Sequence, residues 1–354
     1  MQSVEFLKRL LDTPGPSGFE AAAARVWRAE AEQFAERVEV DVNGNSVATV
    51  GEGGAPRVML AGHMDEIGLM ITHVDEDGVL YFDGIGGWDP QVLVGQRVRI
   101  LTQAGEVIGV VGKKPIHLIK GEEKEKASKL TDLWIDVGTR GRDAVRERGV
   151  RVGDPAVIDA HVVELDDGLI ASRSVDNRIG AFVVLEALRL LAADPPRAQA
   201  MAVATTQEEI GYSGGGARTS AYRLDPQVAL VVDVTFATDV PDVEKKELGE
   251  HKVGGGPVLT RGSATHPLVF DKLVEVAERE GIAYSIAASP RYTGTDADAI
   301  HLSRAGVATG LISVPNRYMH SPNEIVSLAD LEQTAKLIAA FVRELGPDTD
   351  FARR

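Results

Sequence analysis

Histidines and acidic residues recur where the predicted strands of this 354-residue chain run into loops. The first such segment, VMLAGHMDEIG, holds His63 and Asp65 two residues apart, so an extended backbone points both side chains to the same side. His63 could bind a metal ion while Asp65 fixes the tautomer of its ring. Taken alone, this pair is better explained by a structural role, because true sites are rare.

Two adjacent glutamates end a later apolar strand, in the segment TTQEEIG. Glu208 and Glu209 repel each other there unless a cation or a shared proton compensates their charge. This cost makes two simple solvated acids the less favoured interpretation. One glutamate could bind a metal ion while its neighbour acts as a general base.

Three more residues of these types lie at the ends of predicted elements. Asp176 in SVDNRIG is equally well explained as a helix N-cap and as a carboxylate whose two oxygens bridge two cations. Asp233 interrupts the valine-rich strand of VALVVDVTFATD, where a buried carboxylate needs a metal ion, an arginine or a proton, and we place the metal ion first. His320 in YMHSPNE, considered by itself, is best explained as an exposed loop histidine.

The complete set of these residues indicates a metal centre without thiolates. The chain has no cysteine, so imidazole and carboxylate groups must supply every ligand. Such ligands suit zinc, cobalt or manganese. Two of these ions about 3.5–4 Å apart can hold and acidify a water molecule while they clamp a substrate. The set therefore predicts a dinuclear metal hydrolase.

The elements that position these residues predict a three-layer α/β domain. Strands predicted at Arg57–Ala61, Ala200–Thr206, Val228–Val234 and Thr309–Val314 alternate with helices predicted at 177–192, 267–280 and from Ser327 to Leu345. Near the start of the chain, Ser17 and Glu20 fit a capping box that opens a helix over Phe19–Phe34. The α/β domain is predicted to comprise residues 1–66 and 164–354.

Residues 67–163 have a different character and predict a second, inserted domain. Short β-rich segments follow one another there with dense glycine punctuation, which is typical of a small barrel or sandwich. A chain of 354 residues is also long for one hydrophobic core, so two domains are the default expectation.

Charge and hydropathy exclude several classes of partner. The chain has 53 acidic and 38 basic side chains and a net charge of −15, which repels nucleic acids and anionic membranes. It contains no run of about 18 apolar residues, and the N-terminus lacks the apolar stretch of a signal peptide. We therefore expect a cytoplasmic protein with no nucleic-acid or membrane partner.

The chain resembles a known enzyme family over nearly its whole length. The segments LDTPGPSGFE, AGHMDEIG, SVDNRIG, TTQEEIG, VDVTFATD, GTDADAIH and YMHSPNE occur in the order typical of the tetrahedral aminopeptidase family of cocatalytic dinuclear metallopeptidases. That family includes glutamyl aminopeptidases and proteins historically labelled endoglucanases. The resemblance implies an α/β/α metallopeptidase domain with an inserted PDZ-like β-barrel, and dimers that assemble into a hollow dodecameric tetrahedron.

The resemblance also implies a set of metal ligands. Asp176 would bridge two divalent ions, zinc or cobalt before manganese. The remaining ligands would be His63 and Asp233 for one ion and Glu209 and His320 for the other.

The activity implied by the resemblance is removal of N-terminal residues from short peptides. Glu208 would be the general base, and Asp65 would support His63 from behind. The segment YTGTDADAI departs from the family pattern at Asp298, where a small residue or asparagine is expected. This loop lies close to where the family binds its substrate.

Alternative functions use the same residues differently. A carboxypeptidase or deacylase could use the same dinuclear centre on other amide substrates. Glycoside hydrolysis could use paired carboxylates but would leave both histidines and Asp233 unexplained. A non-catalytic, self-assembling shell is a third alternative, and the presence of Glu208 beside a complete ligand set argues against it.

Overall fold

The computed structural model describes residues 3–211 and 214–352. The strands are β1 Arg37–Val40, β2 Ser46–Val50, β3 Arg57–His63, β4 Gly68–Val74, β5 Leu80–Ile85, β6 Arg97–Thr102, β7 Gly105–Lys113, β8 Leu133–Asp136, β9 Pro155–Ile158, β10 Val163–Glu164, β11 Leu169–Ser172, β12 Gln199–Thr205, β13 Val228–Phe236, β14 Val258–Gly262, β15 Ser285–Ser289, β16 Ala308–Asn316 and β17 Glu324–Ser327. The α-helices are α1 Val4–Asp12, α2 Ala21–Ala31, α3 Pro90–Leu93, α4 Arg142–Glu147, α5 Val175–Ala193, α6 Gly215–Leu224, α7 Lys245–Leu248, α8 Pro267–Glu280, α9 Ala297–Ile300 and α10 Leu328–Arg343.

An eight-stranded mixed sheet forms the centre of the larger unit. Its strand order is β1-β2-β12-β3-β13-β16-β14-β15. The four strands β12, β3, β13 and β16 run parallel to one another, so their carboxyl ends meet at one edge of the sheet. This edge is where loops can bring side chains together.

Apolar side chains cover both faces of this sheet. On β3, Leu60 belongs to the core beneath helices α1, α2, α5, α8 and α10, whereas Met59 and Ala61 face α6 and α9. This alternation is the period of two expected for a strand buried on both sides. The chain therefore folds as three layers, α/β/α, as the sequence predicts.

The second unit is a closed six-stranded antiparallel barrel in the order β4-β5-β8-β7-β6-β9. Its core is a separate cluster of buried apolar side chains that includes Leu69, Val98 and Ile135. The strands of the barrel lie within the predicted insertion at 67–163. The domain boundaries themselves stay a prediction.

Buried ion pairs join the two ends of the insertion. Glu66, where the chain leaves the α/β unit, is 2% exposed and accepts hydrogen bonds from the guanidinium groups of Arg173 and Arg178. Arg173 directly follows β11, on the returning chain. The Glu66 carboxylate also accepts a hydrogen bond from the amide of Gly15, 2.9 Å away. One carboxylate thus ties the exit, the return and the N-terminal segment together.

The local predictions at helix starts fared differently. Ser327, the predicted start of the final helix, caps α10 by accepting a hydrogen bond from the amide of Ala329. The capping box at Ser17 and Glu20 is wrong, because α2 begins at Ala21 without a side-chain cap. The hydroxyl of Ser17 donates instead to Asp65 at 2.6 Å. A tertiary partner has therefore replaced the expected local one.

Candidate active site at the carboxyl edge of the sheet

Strand register places the first two site residues. His63 is the last residue of β3 and continues the row of Ala61, while Asp233 continues the row of Val231 on β13. Ala61 and Val231 are register partners, so the two rows lie side by side. His63 and Asp233 consequently reach the same edge on the same face, with His63 Nε2 3.9 Å from Asp233 Oδ1.

Asp176 lies between two histidines that are far apart in sequence. Its Oδ1 is 3.2 Å from Nε2 of His63, and its Oδ2 is 3.5 Å from Nε2 of His320. Asp176 lies in the first turn of α5, but its φ of −77° and ψ of 107° are not helical. The N-cap position belongs to Ser174. The carboxylate therefore faces the site instead of capping the helix.

The adjacent glutamates point to different parts of this cluster. Glu209 Oε2 lies 3.4 Å from Nε2 of His320, whereas Glu208 Oε2 lies 3.8 Å from Nε2 of His63. Gln207, just before them, has a φ of 60°, a left-handed conformation that is uncommon for a residue with a side chain. After this turn, the side chain of Glu208 points toward His63 and that of Glu209 toward His320, on opposite sides of Asp176.

Asp65 does more than support His63, although its Oδ1 is 3.4 Å from Nδ1 of that ring. The same oxygen accepts from the amide of Glu208 at 3.2 Å, and Oδ2 accepts from the amide of Glu209 at 3.1 Å. Ser17 completes the set of donors to Asp65. One buried carboxylate therefore orients the histidine and both glutamates.

The structure thus brings all seven predicted residues into one cluster. These residues are His63, Asp65, Asp176, Glu208, Glu209, Asp233 and His320. Most are buried, and His320 is the most accessible, with 35% of its side chain exposed. A histidine that resembled a surface residue in sequence therefore belongs to the site.

The pKa values of the cluster reflect burial and crowding. Burial raises the pKa of Glu208 to about 10, and nearby carboxylates add to this rise although His63 opposes it. Burial also raises the pKa of Asp233 well above its usual range. Carboxylates this crowded favour any cation that can lie between them.

Asp176 and His320 shift in the opposite sense. Hydrogen bonds to Asp176 and Glu209 raise the pKa of His320 to about 11. Burial works against ionisation of Asp176, but contacts with His320 and His63 lower its pKa to about 2. Asp176 is consequently an anion with an imidazole beside each of its two oxygens.

The donor atoms fit a divalent metal ion. One ligand atom each from His63, Asp176 and Glu209 lie within 4.8 Å of one another. Glu209 Oε1 is buried and has no hydrogen-bond partner among the described residues, although a buried acceptor is normally paired. Imidazole and carboxylate ligands suit zinc, cobalt or manganese. The residues present therefore match the metal type that the sequence predicts.

Three further buried carboxylates surround the cluster and were missed by the sequence analysis. Glu20 accepts from the amide of Gln207 at 3.1 Å, and Asp296 accepts from the hydroxyl of Thr205 at 2.5 Å. Glu324 accepts hydrogen bonds from the main chain of two site residues. Asp296 and Glu324 lie in the segments GTDADAIH and YMHSPNE, but sequence spacing does not indicate which distant residues these two acids contact.

A cleft of about 880 Å³ opens beside Glu208. Asp296 and Asp298 line it together with Tyr222 and Arg304. This volume lies within the range of small-molecule sites, about 300–1,000 Å³. A ligand of small-molecule size can therefore lie next to Glu208.

The barrel closes another side of the site. A Cβ atom at Gly87, after β5, would lie 3.4 Å from Nδ1 of His320, and one at Gly86 would lie 3.4 Å from Glu209. These two glycines let the barrel backbone approach the cluster closely.

Within the described residues, no helix is long and apolar enough to span a membrane.

Comparison with known proteins gives a consistent result. The family model for M42 glutamyl aminopeptidase matches residues 44–337. The lysyl aminopeptidase of Pyrococcus furiosus is 38% identical over 346 residues, which cover 97% of each chain.

Solved structures of the same type superpose closely. The TET aminopeptidase of a marine sediment Thaumarchaeota archaeon has a TM-score of 0.92 and 34% identity, covering 98% of this chain and 97% of that one. The TET1 peptidase of Pyrococcus horikoshii, described as assembling into a tetrahedron or a large octahedral shell, has a TM-score of 0.85 and 33% identity over 97% of this chain and 99% of that one. Together with the site geometry, these matches show that the chain belongs to the M42 glutamyl aminopeptidase family, whose enzymes hydrolyse peptide bonds.

Proposed function

We propose that this protein is a dinuclear metal-dependent aminopeptidase that removes N-terminal residues from short peptides. One divalent ion would be held by His63, Asp176 and Asp233, and the other by Asp176, Glu209 and His320. The observation that carries the proposal is the placement of the two oxygens of Asp176, each within 3.5 Å of a different histidine. A bridging carboxylate requires this division.

Metal ions held there would polarise the scissile carbonyl and lower the pKa of a water molecule. Glu208 would take the proton of the attacking water and pass it to the leaving amine. It borders the cleft, with 19% of its side chain exposed, so substrate can reach it. Neighbouring cations would lower its raised pKa, because opposite charge favours the ionised form of a carboxyl group.

Asp65 would act through other residues and not on the substrate. Its four contacts fix the ring of His63 and the main chain of Glu208 and Glu209. We include zinc or cobalt as the native metal and manganese as the alternative, because all three accept this ligand set. A cytoplasmic location is also part of the proposal.

Self-association belongs to the proposal as well. Structural neighbours assemble into tetrahedra, and the barrel offers a second folded unit that could make such contacts. We propose dimers that build a dodecamer, which sedimentation of the purified protein would test. A monomer at micromolar concentration would contradict this part alone.

The first experiment compares free and N-acetylated aminoacyl p-nitroanilides. Metal-stripped protein should release p-nitroaniline only from the free-amine substrates, and only after zinc, cobalt or manganese is restored. Cleavage of acetylated substrates would favour a deacylase instead. No cleavage with any of these metals would favour the non-catalytic shell.

The matched variants Glu208→Gln and Glu209→Gln separate base from ligand. We expect Glu208→Gln to lose about 10²–10⁴ in kcat and to keep its metal content, because the amide cannot accept the proton. Glu209→Gln should lose one equivalent of metal, measured by elemental analysis. A Glu208→Gln enzyme with normal kcat would refute the assigned base.

A further inference from the structure

Glu324 holds the main chain of two proposed metal ligands at once. It is the first residue of β17 and is 2% exposed. Its Oε1 accepts from the amide of His320 at 2.8 Å, and its Oε2 accepts from the amide of Asp176 at 3.0 Å. These two residues lie 144 positions apart in the sequence but share this one carboxylate.

Asp176 has non-helical dihedral angles at the start of α5, and His320 lies in the loop between β16 and β17. His320 has a φ of 58°, and Tyr318 two residues earlier has a φ of 66°, so the loop is in a left-handed conformation that costs free energy for non-glycine residues. Hydrogen bonds to Glu324 therefore restrain both segments where their own backbone is irregular.

The position of Glu324 is itself well fixed. β17 pairs with β11, and Glu324 is the register partner of Ser172, four residues before Asp176. The strand pairing sets the distance between the loop of His320 and the start of α5. Through its two hydrogen bonds, the Glu324 carboxylate then fixes the separation of His320 and Asp176.

A carboxylate at this place is expensive. Glu324 is 2% exposed, and removing a carboxylate from water costs free energy unless the group is paired. Among the described residues, the hydrogen-bond partners of its two oxygens are main-chain amides and not a lysine or an arginine. A neutral side chain would cost less unless two acceptor oxygens are required. Glutamine offers one acceptor and would turn its NH₂ group toward one of the two amides.

We propose that Glu324 is a positioning residue for the metal centre, which sets the separation of Asp176 and His320 by accepting from both main-chain amides. This inference rests on the proposed dinuclear function. It adds a residue that contacts neither substrate nor metal ion. Glu324 would act on metal affinity and on kcat through the geometry of the two ligands.

The test compares Glu324→Gln with Asp330→Asn as a matched control. Asp330 is also fully buried, and its two oxygens accept from the amides of Gly254 and Gly256 at 2.7 and 2.8 Å. It therefore has the same pair of contacts but holds a loop that carries no proposed ligand. Each metal-stripped protein would be titrated with Co²⁺ and followed by calorimetry and by the visible spectrum of the bound ion. Its melting temperature in chelator would also be recorded.

For Glu324→Gln we expect cobalt affinity at one site to fall about 10–100-fold, with an altered cobalt spectrum and a lower kcat at similar KM. Both variants should melt earlier in chelator, because each leaves a buried main-chain amide without its acceptor. Asp330→Asn should nevertheless bind cobalt normally. Unchanged affinity and spectrum in Glu324→Gln would overturn the inference, as would an equal loss of affinity in the control.

Glu324→Asp keeps two acceptor oxygens, but its side chain is one methylene shorter, so the oxygens lie farther from the amides of His320 and Asp176. This variant replaces Glu324→Gln in the test if the glutamine variant does not fold. It should bind cobalt more weakly than the parent while keeping two equivalents, and parent-like affinity would overturn the inference. Cobalt binding by the parent protein distinguishes a failure of the proposed function from a failure of the role of Glu324. If the parent binds no cobalt, the proposed function fails; if it binds two ions and the Glu324 variants bind equally well, only the role of Glu324 fails.

Discussion

The barrel core and the cluster at the carboxyl edge of the sheet are both buried, but they are made of opposite chemistry. Across residues 67–163, Arg99 is the one polar or charged side chain that is buried among those whose burial is described. The cluster instead buries acids, among them Asp65, Asp176 and Asp233. Burial of apolar side chains stabilises the barrel. Burial of carboxylates in the cluster costs free energy, which bound metal ions would offset. The difference separates a region built for stability from one built for chemistry.

The largest expected effect tests the barrel side of this comparison. Ile135 is fully buried on β8, and Ile135→Ala should lower the free energy of unfolding by about 2–5 kcal/mol because it leaves a cavity. Denaturant unfolding would measure this loss. Cobalt affinity should not change. Ile108→Ala, at a barrel position that is 46% exposed, is the control and should change stability by less than about 0.5 kcal/mol.

A smaller effect tests the cluster side. Asp65→Asn should weaken metal binding about 10–100-fold, because an amide cannot accept from the amides of both glutamates and also orient His63. Metal titration by calorimetry would measure it. Ser17→Ala removes a single donor to Asp65 and should weaken binding less. Equal losses in the two variants would mean that Asp65 acts only through Ser17.

The smallest effect concerns an ion pair outside both regions. Arg317 donates to Asp239 at 2.6 Å; burial works against ionisation of Asp239, but this contact outweighs it and lowers the pKa of Asp239. The stabilisation is therefore complete above the unfolded pKa, about 3.9, and is lost as the pH falls through the lower folded value. Asp239→Asn should cost about 1 kcal/mol or less at pH 7 and almost nothing at strongly acidic pH. Unfolding at both pH values would measure it, and a difference that grows toward acid would contradict the sign.

Periodic features were predictable from the sequence. The helix predicted at 267–280 coincides with α8, and Asp233 was identified because a carboxylate inside a valine-rich strand is conspicuous. Alternation also indicates the face of its strand that His63 and Asp233 each occupy, whereas the register that brings them together is a property of the folded sheet. The fold class and the ends of strands could be predicted because the spacing of apolar residues in helices and strands is periodic, and this period can be seen in a single sequence.

Contacts that depend on tertiary distance were not predictable. Ser17 and Glu20 satisfied the spacing of a capping box, yet their side chains reach Asp65 and the main chain of Gln207 instead. Glu324 lies four residues after His320 in the segment YMHSPNE, and this spacing does not indicate a role for it. Its role depends on an amide 148 positions away, at Asp176, and no local spacing encodes that distance. Such residues become visible only when the chain is folded.

The buried ion pairs of Glu66 have a mechanical consequence. The Glu66 carboxylate forms ion pairs with Arg173 and Arg178 next to Asp65. The connection between the barrel and the α/β unit is therefore held by these buried contacts and is not a flexible linker. A force that tilts the barrel must be absorbed by the segment that carries His63 and Asp65. Contacts that load the barrel and the geometry that holds the metal ligands therefore share one mechanical path.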